Sequence, residues 1–373
     1  MNNLITSIGL MSGTSCDGID ASIIKSDGED QVHFIADEFL PYNEKTKENI
    51  RSLKEKINLI TDLEKYKLEI EILEREITLL HAKIINIITK KNQIDRSKIN
   101  LIGFHGHTIF HNFKEKKTKQ IGDGKLLSQL SNFSIINNFR ENDMYHGGQG
   151  APLVPIFHKL LQTKLKLKSP VLFVNIGGIA NLTYLGKDQM MTSLDCGPGN
   201  FLIDKILQLK SKNKTQFDEG GKIAFTGSVD RNILDSYLSD PFYDSLPPKS
   251  LDVNDFNLSS LRSLSLEDSV TTLSELTSQV IINSLNFFNT KPDEIILCGG
   301  GRKNKYIFER IKKLSNTLTK NIDEYKINGD FVESQAFAYL SIRSALKKVI
   351  SYPNTTNVKK PSTGGVLIKS YLD

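Results

Sequence analysis

Residues 4–25, LITSIGLMSGTSCDGIDASIIK, decide the fold. Two apolar, Ile-rich runs at 4–10 and 19–25 flank Ser12-Gly13-Thr14-Ser15-Cys16-Asp17-Gly18. Apolar run, glycine turn, apolar run predicts two paired strands, with Asp17-Gly18 supplying the turn chemistry. Glycines let a backbone approach an anion closely, and successive N–H groups can form an anion-binding nest. The stretch is not a Walker A loop, because no Gly-Lys-Ser/Thr follows. It is not a dinucleotide fingerprint, because a strand rather than a helix comes next. From these residues alone, a tight hairpin and a phosphate cradle stand equal.

Outward from this hairpin, strands and helices alternate, which predicts an α/β protein. A third strand is expected near 32–40. Leu63, Ile70, Leu73, Ile77, Leu80 and Ile84 recur at helical spacing among Glu and Lys, predicting a long amphipathic helix or helix pair over 44–90. Residues 100–106 read as a short buried strand entering a His-rich turn. Residues 170–186 repeat the opening design: a strand at 171–174, the turn Asn175-Ile176-Gly177-Gly178, and a second strand at 179–185. Two such hairpins point to a duplicated architecture. Beyond them the pattern gives a helix at 201–209 capped by Asn200, a loop-rich stretch at 211–262, and helices at 267–288. A strand at 295–298, helices at 305–314 and 333–349, and a loop at 353–363 complete the reading.

Composition narrows the class. At roughly 100–200 residues per domain, 373 residues predict two domains. Charged residues make up 24% of the chain and the formal net charge is +5, spread as Lys/Glu mixtures. No basic stripe with interleaved aromatics exists, which argues against nucleic acid as a partner. Cys16, Cys196 and Cys298 are too few and too widely spaced for a disulfide framework or a zinc site. Reduced thiols fit a cytoplasmic protein. The opening MNNLITSIGLMSGTS lacks the pattern of a signal peptide. No run of about 18 apolar residues is present, so no membrane span is expected.

Several further segments could carry chemistry. His105, His107 and His111 suit either a metal or a polar pocket wall. No Glu lies between them as in zincins, and glycine turns rarely preset ligands, so the wall is preferred. Arg140, followed by the flexible Gly147-Gly148-Gln149-Gly150, suits a carboxylate or phosphate, or a hinge with a salt bridge. Asp195 sits at a strand end before Gly197-Pro198-Gly199-Asn200 and a helix N-terminus, whose N–H groups favour anions. A lone Asp before a turn is usually turn chemistry, but the nearby second glycine hairpin favours a catalytic role. Gly299-Gly300-Gly301 lies between a buried strand and a helix, which suits a flat ligand or tight packing. Glu333 opens a helix, where an acidic residue normally complements the dipole.

Taken together, MSGTSCDGID, FHGHT, NFRENDM with GGQGAPLVP, VNIGGIANLTYL, DCGPGN, CGGGRKN and ESQAFAYL occur in the order of the anhydro-N-acetylmuramic acid kinases. The resemblance runs from about residue 8 to about residue 345. It implies membership of the actin/hexokinase/Hsp70-like phosphotransferases, with two actin-like (ribonuclease H-like) α/β domains flanking a nucleotide and substrate cleft. Residues 1–137 plus about 335–373 would form domain I, and 138–334 domain II. The family's ATP-phosphate segment matches Gly13, Thr14, Ser15, Cys16, Asp17, Gly18, Ile19 and Asp20. Gly177 and Gly178 of the second hairpin join them as nucleotide-side residues, and Gly299, Gly300 and Gly301 match the adenosine-side glycines. Asp195 matches the catalytic base, and His105, Arg140 and Glu333 match the sugar side.

The same resemblance implies ATP and Mg²⁺, with no protein side chain assigned to the metal, and 1,6-anhydro-N-acetylmuramic acid as substrate. The reaction would be ring opening with phosphorylation of O6, in the cytoplasm, by a homodimer. The alternatives are another sugar or carboxylate kinase of the superfamily, or a non-catalytic sugar sensor with the same fold.

Overall fold

A computed structural model describes residues 4–370 except 14, 189, 250 and 252–256. The chain forms two compact units, residues 1–164 with 331–373, and residues 165–330. The sequence places the boundary at 137/138. The first unit instead continues to Lys164, so the Arg140 segment and its glycine loop lie within it. Among the described residues, no helix is long and apolar enough to cross a membrane.

The first unit is built on β1 (Ile5–Ser12), β2 (Gly18–Ser26), β3 (Val32–Pro41), β4 (Leu101–Asn112), β5 (Lys117–Ile121) and β6 (Ile135–Asn137). The second contains β7 (Val171–Ile176), β8 (Ile179–Leu185), β9 (Met191–Pro198), β10 (Glu294–Cys298) and β11 (Leu318–Asn321). A last strand, β12 (Val366–Ile368), returns to the first sheet and pairs antiparallel with β6.

The duplication expected from the two hairpins is present in the topology. In the first sheet, β3 and β2 form an antiparallel meander with β1, and β1 pairs in parallel with β4, which pairs in parallel with β6. In the second sheet, β9, β8 and β7 form the meander, and β7 pairs in parallel with β10, which pairs in parallel with β11. Both units therefore have the ribonuclease H-like strand order. Parallel neighbours need a crossover connection, usually a helix. Helices Glu44–Lys56 and Lys67–Lys91 fill that place between β3 and β4, and helix Leu266–Asn283 lies between β9 and β10.

The expected helix over 44–90 is a pair. Asp62 accepts N–H bonds from Asn58 (3.0 Å) and Leu59 (2.8 Å), which turns the chain between the two long helices. Ile70, Leu73, Ile77 and Ile84 are buried, as their spacing requires. On the opposite face, helix Val332–Ala345 lies against β1, β2 and β4. Its approach is close because Gly9 and Gly103 are cross-strand partners there. A Cβ on Gly9 would run into the Ser334 carbonyl, and one on Gly103 into the Phe337 carbonyl. Ser7 and Ser22 complete the seam with hydroxyl bonds to Ser341 and Ser334, each 2.7 Å. This helix stops at Ala345 rather than at 349, and Lys347 beyond it adopts φ 55°.

Three further expectations are corrected. The His-rich turn is not a turn, because β4 continues through all three histidines to Asn112. The stretch 211–262 holds a helix, Arg231–Leu238, whose N-terminus Asp230 caps by accepting from Ile233 N–H (3.0 Å). The loop at 353–363 contains a short helix, Pro353–Thr356, and a bridge between Ser351 and Ser362.

Candidate active site

In the first unit the glycine turn joins β1 to β2, with Met11 paired to Asp20. Gly13 is open: a Cβ there would meet only Ser15 Oγ, at 3.8 Å. Ser15 and Asp17 are exposed and joined by a 2.7 Å hydrogen bond. Cys16 takes a left-handed φ of 58°, and its N–H donates to the Gly13 carbonyl at 3.2 Å. The side chains of Cys16 and Ile19 point into the core, so they can offer a ligand only their backbone. Asp20 is half-buried, Gly18 begins β2, and Thr14 lies outside the described residues.

The sugar-side residues gather around Arg140. Its Nε and Nη2 donate to His105 Nε2 (3.1 and 3.0 Å) and its Nη1 donates to the Gly150 carbonyl (2.8 Å). Because Nε2 accepts from a cation, the proton of His105 sits on Nδ1, which donates to the Gly106 carbonyl at 2.9 Å. Burial, and then the Arg140 charge, hold His105 well below the usual histidine range. His105 is thus a neutral acceptor, 5% exposed, its ring tilted against Phe337 with centroids 4.4 Å apart, and it orients Arg140. Burial pulls Arg140 down to about 10, with Glu333 and Asp143 opposing, so it remains cationic at neutral pH. Glu333 stands in the first turn of helix Val332–Ala345, close enough to interact with that charge. The sequence reading did not single out Asp143. Its carboxylate accepts from Gly150 N–H and the Thr356 hydroxyl, both at 2.6 Å, and so pins the loop that holds Arg140.

His105 and His107 part company at Gly106. That residue has φ 74°, and the register of β4 against β1 slips there. A bulge inserts one residue and breaks the alternation of faces. His105 consequently faces Phe337, while His107 meets Ser12 and Cys16. This separation removes the metal reading: among the described residues, no three His, Cys, Asp or Glu gather as a metal site.

In the second unit, Asp195 lies on β9 opposite Asn181. The main chain of Lys249 and Leu251 grips it twice. Asp195 N–H donates to the Lys249 carbonyl and Leu251 N–H donates to Asp195 Oδ2, each at 2.9 Å. Burial pushes the carboxyl up to about 7, against the lowering effects of the Leu251 N–H and of Lys249. The residue keeps partial exposure. A carboxylate near neutrality with one oxygen held and a path to solvent suits a general base. Lys249 is 7% exposed. Its ammonium donates to the carbonyls of Phe242 (2.9 Å) and Tyr243 (3.0 Å) and lies 4.5 and 4.7 Å from the rings of Phe242 and Phe287. No sequence signal marked Lys249, because its partners come from separate loops and helices.

Two expectations change here. Asn200 is not a side-chain cap, and its Nδ2 donates to the Ile176 carbonyl at 3.3 Å. The N–H groups of Gly199, Asn200 and Phe201 donate to the carbonyls of Gly178, Gly177 and Gly178 (2.9, 2.8 and 3.2 Å). The chain entering that helix is therefore tied to the second glycine turn. Gly299 needs its φ of 74°, and Gly301 packs on Ile176. A Cβ on Gly300 would meet nothing within 4 Å, so the backbone there is open to a flat ligand.

Two α/β units, each with the ribonuclease H-like strand order and a glycine hairpin between its first two strands, define the fold class of the chain. The sequence model described as anhydro-N-acetylmuramic acid kinase matches residues 5–370. A curated relative of that name from Pelagibacter ubique is 48% identical over 100% of both chains. One from Agrobacterium fabrum is 37% identical over 99% of this chain and 100% of its own. One from Zymomonas mobilis is 38% identical over 96% and 98%. The chain belongs to the anhydro-N-acetylmuramic acid kinase family; it is a kinase that uses ATP and acts on a small sugar.

Proposed function

We propose that the protein opens the 1,6-anhydro bridge of 1,6-anhydro-N-acetylmuramic acid with water and phosphorylates O6, giving N-acetylmuramic acid 6-phosphate and ADP. The observation that carries the reading is the placement of Asp195, a partly exposed carboxyl at the end of the second unit's meander with one oxygen held by Leu251 N–H at 2.9 Å, which burial pushes up to about 7. In the substrate, O6 is tied to C1, so no free hydroxyl is available at that position. Asp195 takes a proton from the water that attacks C1, as the base of an inverting glycosidase does. The C1–O6 bond breaks, and O6 becomes the nucleophile toward the γ-phosphorus. ADP departs with the bonding pair.

The Gly13–Asp20 hairpin would receive the phosphates through its backbone N–H groups, and the open Gly300 would lie against the nucleoside. Gly177 and Gly178 belong to this proposal only as the floor of the second unit's hairpin. Arg140, oriented by His105 and balanced by Glu333, suits the lactyl carboxylate of the sugar. Mg²⁺ would be held largely by phosphate oxygens and water. When bound, Mg²⁺ neutralises charge on the β- and γ-phosphates. Cytoplasmic location and a homodimer are part of the same proposal, and light scattering tests the latter.

The decisive experiment incubates the protein with ATP, Mg²⁺ and the anhydro sugar in ¹⁸O-labelled water. The label should appear on C1 of a 6-phosphosugar, with one ADP per sugar. Label in the phosphate, or ADP without a phosphosugar, would overturn the reading.

A further inference from the structure

Beneath the first glycine hairpin runs a buried polar chain that the reaction chemistry does not use. The Tyr42 hydroxyl donates to Ser12 Oγ at 2.8 Å. Ser12 Oγ lies 2.9 Å from His107 Nδ1, and His107 Nε2 lies 3.7 Å from Cys16 Sγ. Ser12 is 2%, Cys16 3%, Tyr42 3% and His107 0% exposed. The donor order follows from its first link. Since Tyr42 gives its proton to Ser12, the Ser12 proton is directed at Nδ1, and the imidazole N–H is left on Nε2, pointing at the sulfur. Burial pushes His107 down to about 3, so this neutral tautomer persists through the working pH range.

Each end of the chain grips the hairpin. Ser12 is the last residue of β1 and Cys16 sits in the turn itself. Tyr42 adds a main-chain bond, its N–H donating to the Asp17 carbonyl at 2.9 Å. The gripped residue is also the strained one. Cys16 has a left-handed φ of 58°, a conformation unfavourable for a residue with a Cβ. Strain of this kind persists only where surrounding contacts hold it, and one such contact, to the side chain, comes from His107. The bulge at Gly106 is what turns His107 toward the hairpin instead of toward Phe337.

We propose that His107 is a positioning residue for the phosphate donor, holding the Gly13–Asp20 hairpin in the shape that receives the phosphates of ATP. The inference rests on the reading of that hairpin as the phosphate site. Removing the ring should displace the turn N–H groups while leaving the Arg140 cluster in place, because His105 faces the other way.

The test measures KM for ATP and for the anhydro sugar separately in the full-length protein. His107→Leu should raise KM for ATP about tenfold or more, the size expected when backbone donors lose their alignment. KM for the sugar should stay within about twofold, since its proposed contacts are not in the chain. His107→Gln, which keeps a donor, should recover part of the loss. Tyr42→Phe, which removes only the first donor, should raise KM for ATP about threefold, the worth of one modest hydrogen bond. His81→Leu is the structural control, a fully buried histidine of the same unit whose Nδ1 bonds to the Ile77 carbonyl of its own helix and whose ring packs on Phe104, so it removes core packing without touching the Ser12–His107–Cys16 contacts.

If His107→Leu moves both KM values together, or only lowers Tm as His81→Leu does, the inference is overturned. Should His107→Leu fail to fold, Tyr42→Phe decides, and an unchanged KM for ATP overturns it. Gly13→Val separates this failure from that of the underlying reading. If Gly13→Val raises KM for ATP and the His107 variants do not, only the inference falls. If Gly13→Val has no effect either, the hairpin is not the phosphate site.

Discussion

The turns β1–β2 and β7–β8 look alike in sequence and differ in how they are held. Each joins two antiparallel strands, and each first strand then pairs in parallel with the next crossover strand. The second turn is closed by main chain: three consecutive N–H groups at the start of helix Phe201–Lys210 are given to the carbonyls of Gly177 and Gly178. The first is held from below, by side chains from β1 and β4 and by Tyr42, and its outer residues Ser15 and Asp17 are exposed. The same strand–glycine–strand pattern can therefore make a rigid floor or a receptive loop. What differs is where the turn's backbone hydrogen bonds go.

The largest expected effect lies beside the closed turn. Asp195→Asn should lower turnover by roughly 10²–10⁴-fold, the contribution typical of a general base. ATP affinity, read by calorimetry, should be nearly unchanged if the phosphates belong to the other hairpin. Near-full activity would remove Asp195 from the chemistry and leave the comparison without its catalytic half.

A pair of glycine substitutions probes the two turns directly. A Cβ on Gly199 would strike the Gly177 carbonyl. Gly199→Ala should thus destabilise the protein by about 1–3 kcal/mol, as overpacking does. Gly13→Ala has room and no positive φ to support. It should leave stability within about 0.5 kcal/mol yet raise KM for ATP several-fold. Thermal melts beside ATP titrations of both variants would show whether rigidity and reception are separated as drawn.

The pH dependence is a finer test. The folded value for Asp195, about 7, is far above that of an exposed carboxylate. The base is ionised only above that pH, so the rate should fall along an acid limb with a midpoint near 7. Stability has the opposite sign. The folded state binds this proton more tightly than the unfolded chain, so the contribution is full below the unfolded value and is lost as pH rises through about 7. Asp195→Asn should accordingly be the more stable protein at pH 8, on the order of 1–2 kcal/mol, with the gap closing toward pH 5. A Tm difference that does not change with pH would show that the carboxyl is not perturbed.

Much of this was legible in the chain. The strands of both hairpins, the apolar stripe of helix Lys67–Lys91 and the glycines at 299–301 are local patterns, set by residue type and spacing. Helix Arg231–Leu238 was legible too, through Asp230 and the spacing of Ile233, Leu234 and Tyr237, but the prolines further along the stretch drew it toward a loop reading. The extent of β4 was not legible. Its bulge at Gly106 breaks the period of two, so strand and turn cannot be told apart from the residues alone. The domain boundary was drawn before the Arg140 segment, whereas Asp143 ties that segment to Thr356 near the end of the chain.

By itself the sequence determined the element types, the duplicated strand–glycine–strand design and the family, because these depend on local pattern and ordered motifs. Only the tertiary structure decided which histidine orients Arg140 and which supports the glycine hairpin, that the second turn is closed, and that Lys249 and Leu251 hold Asp195. Those outcomes depend on burial and on hydrogen-bond partners that lie far apart along the chain. The choice between partners is made when sheet, bulge and helix come together, and no spacing within a single segment records it.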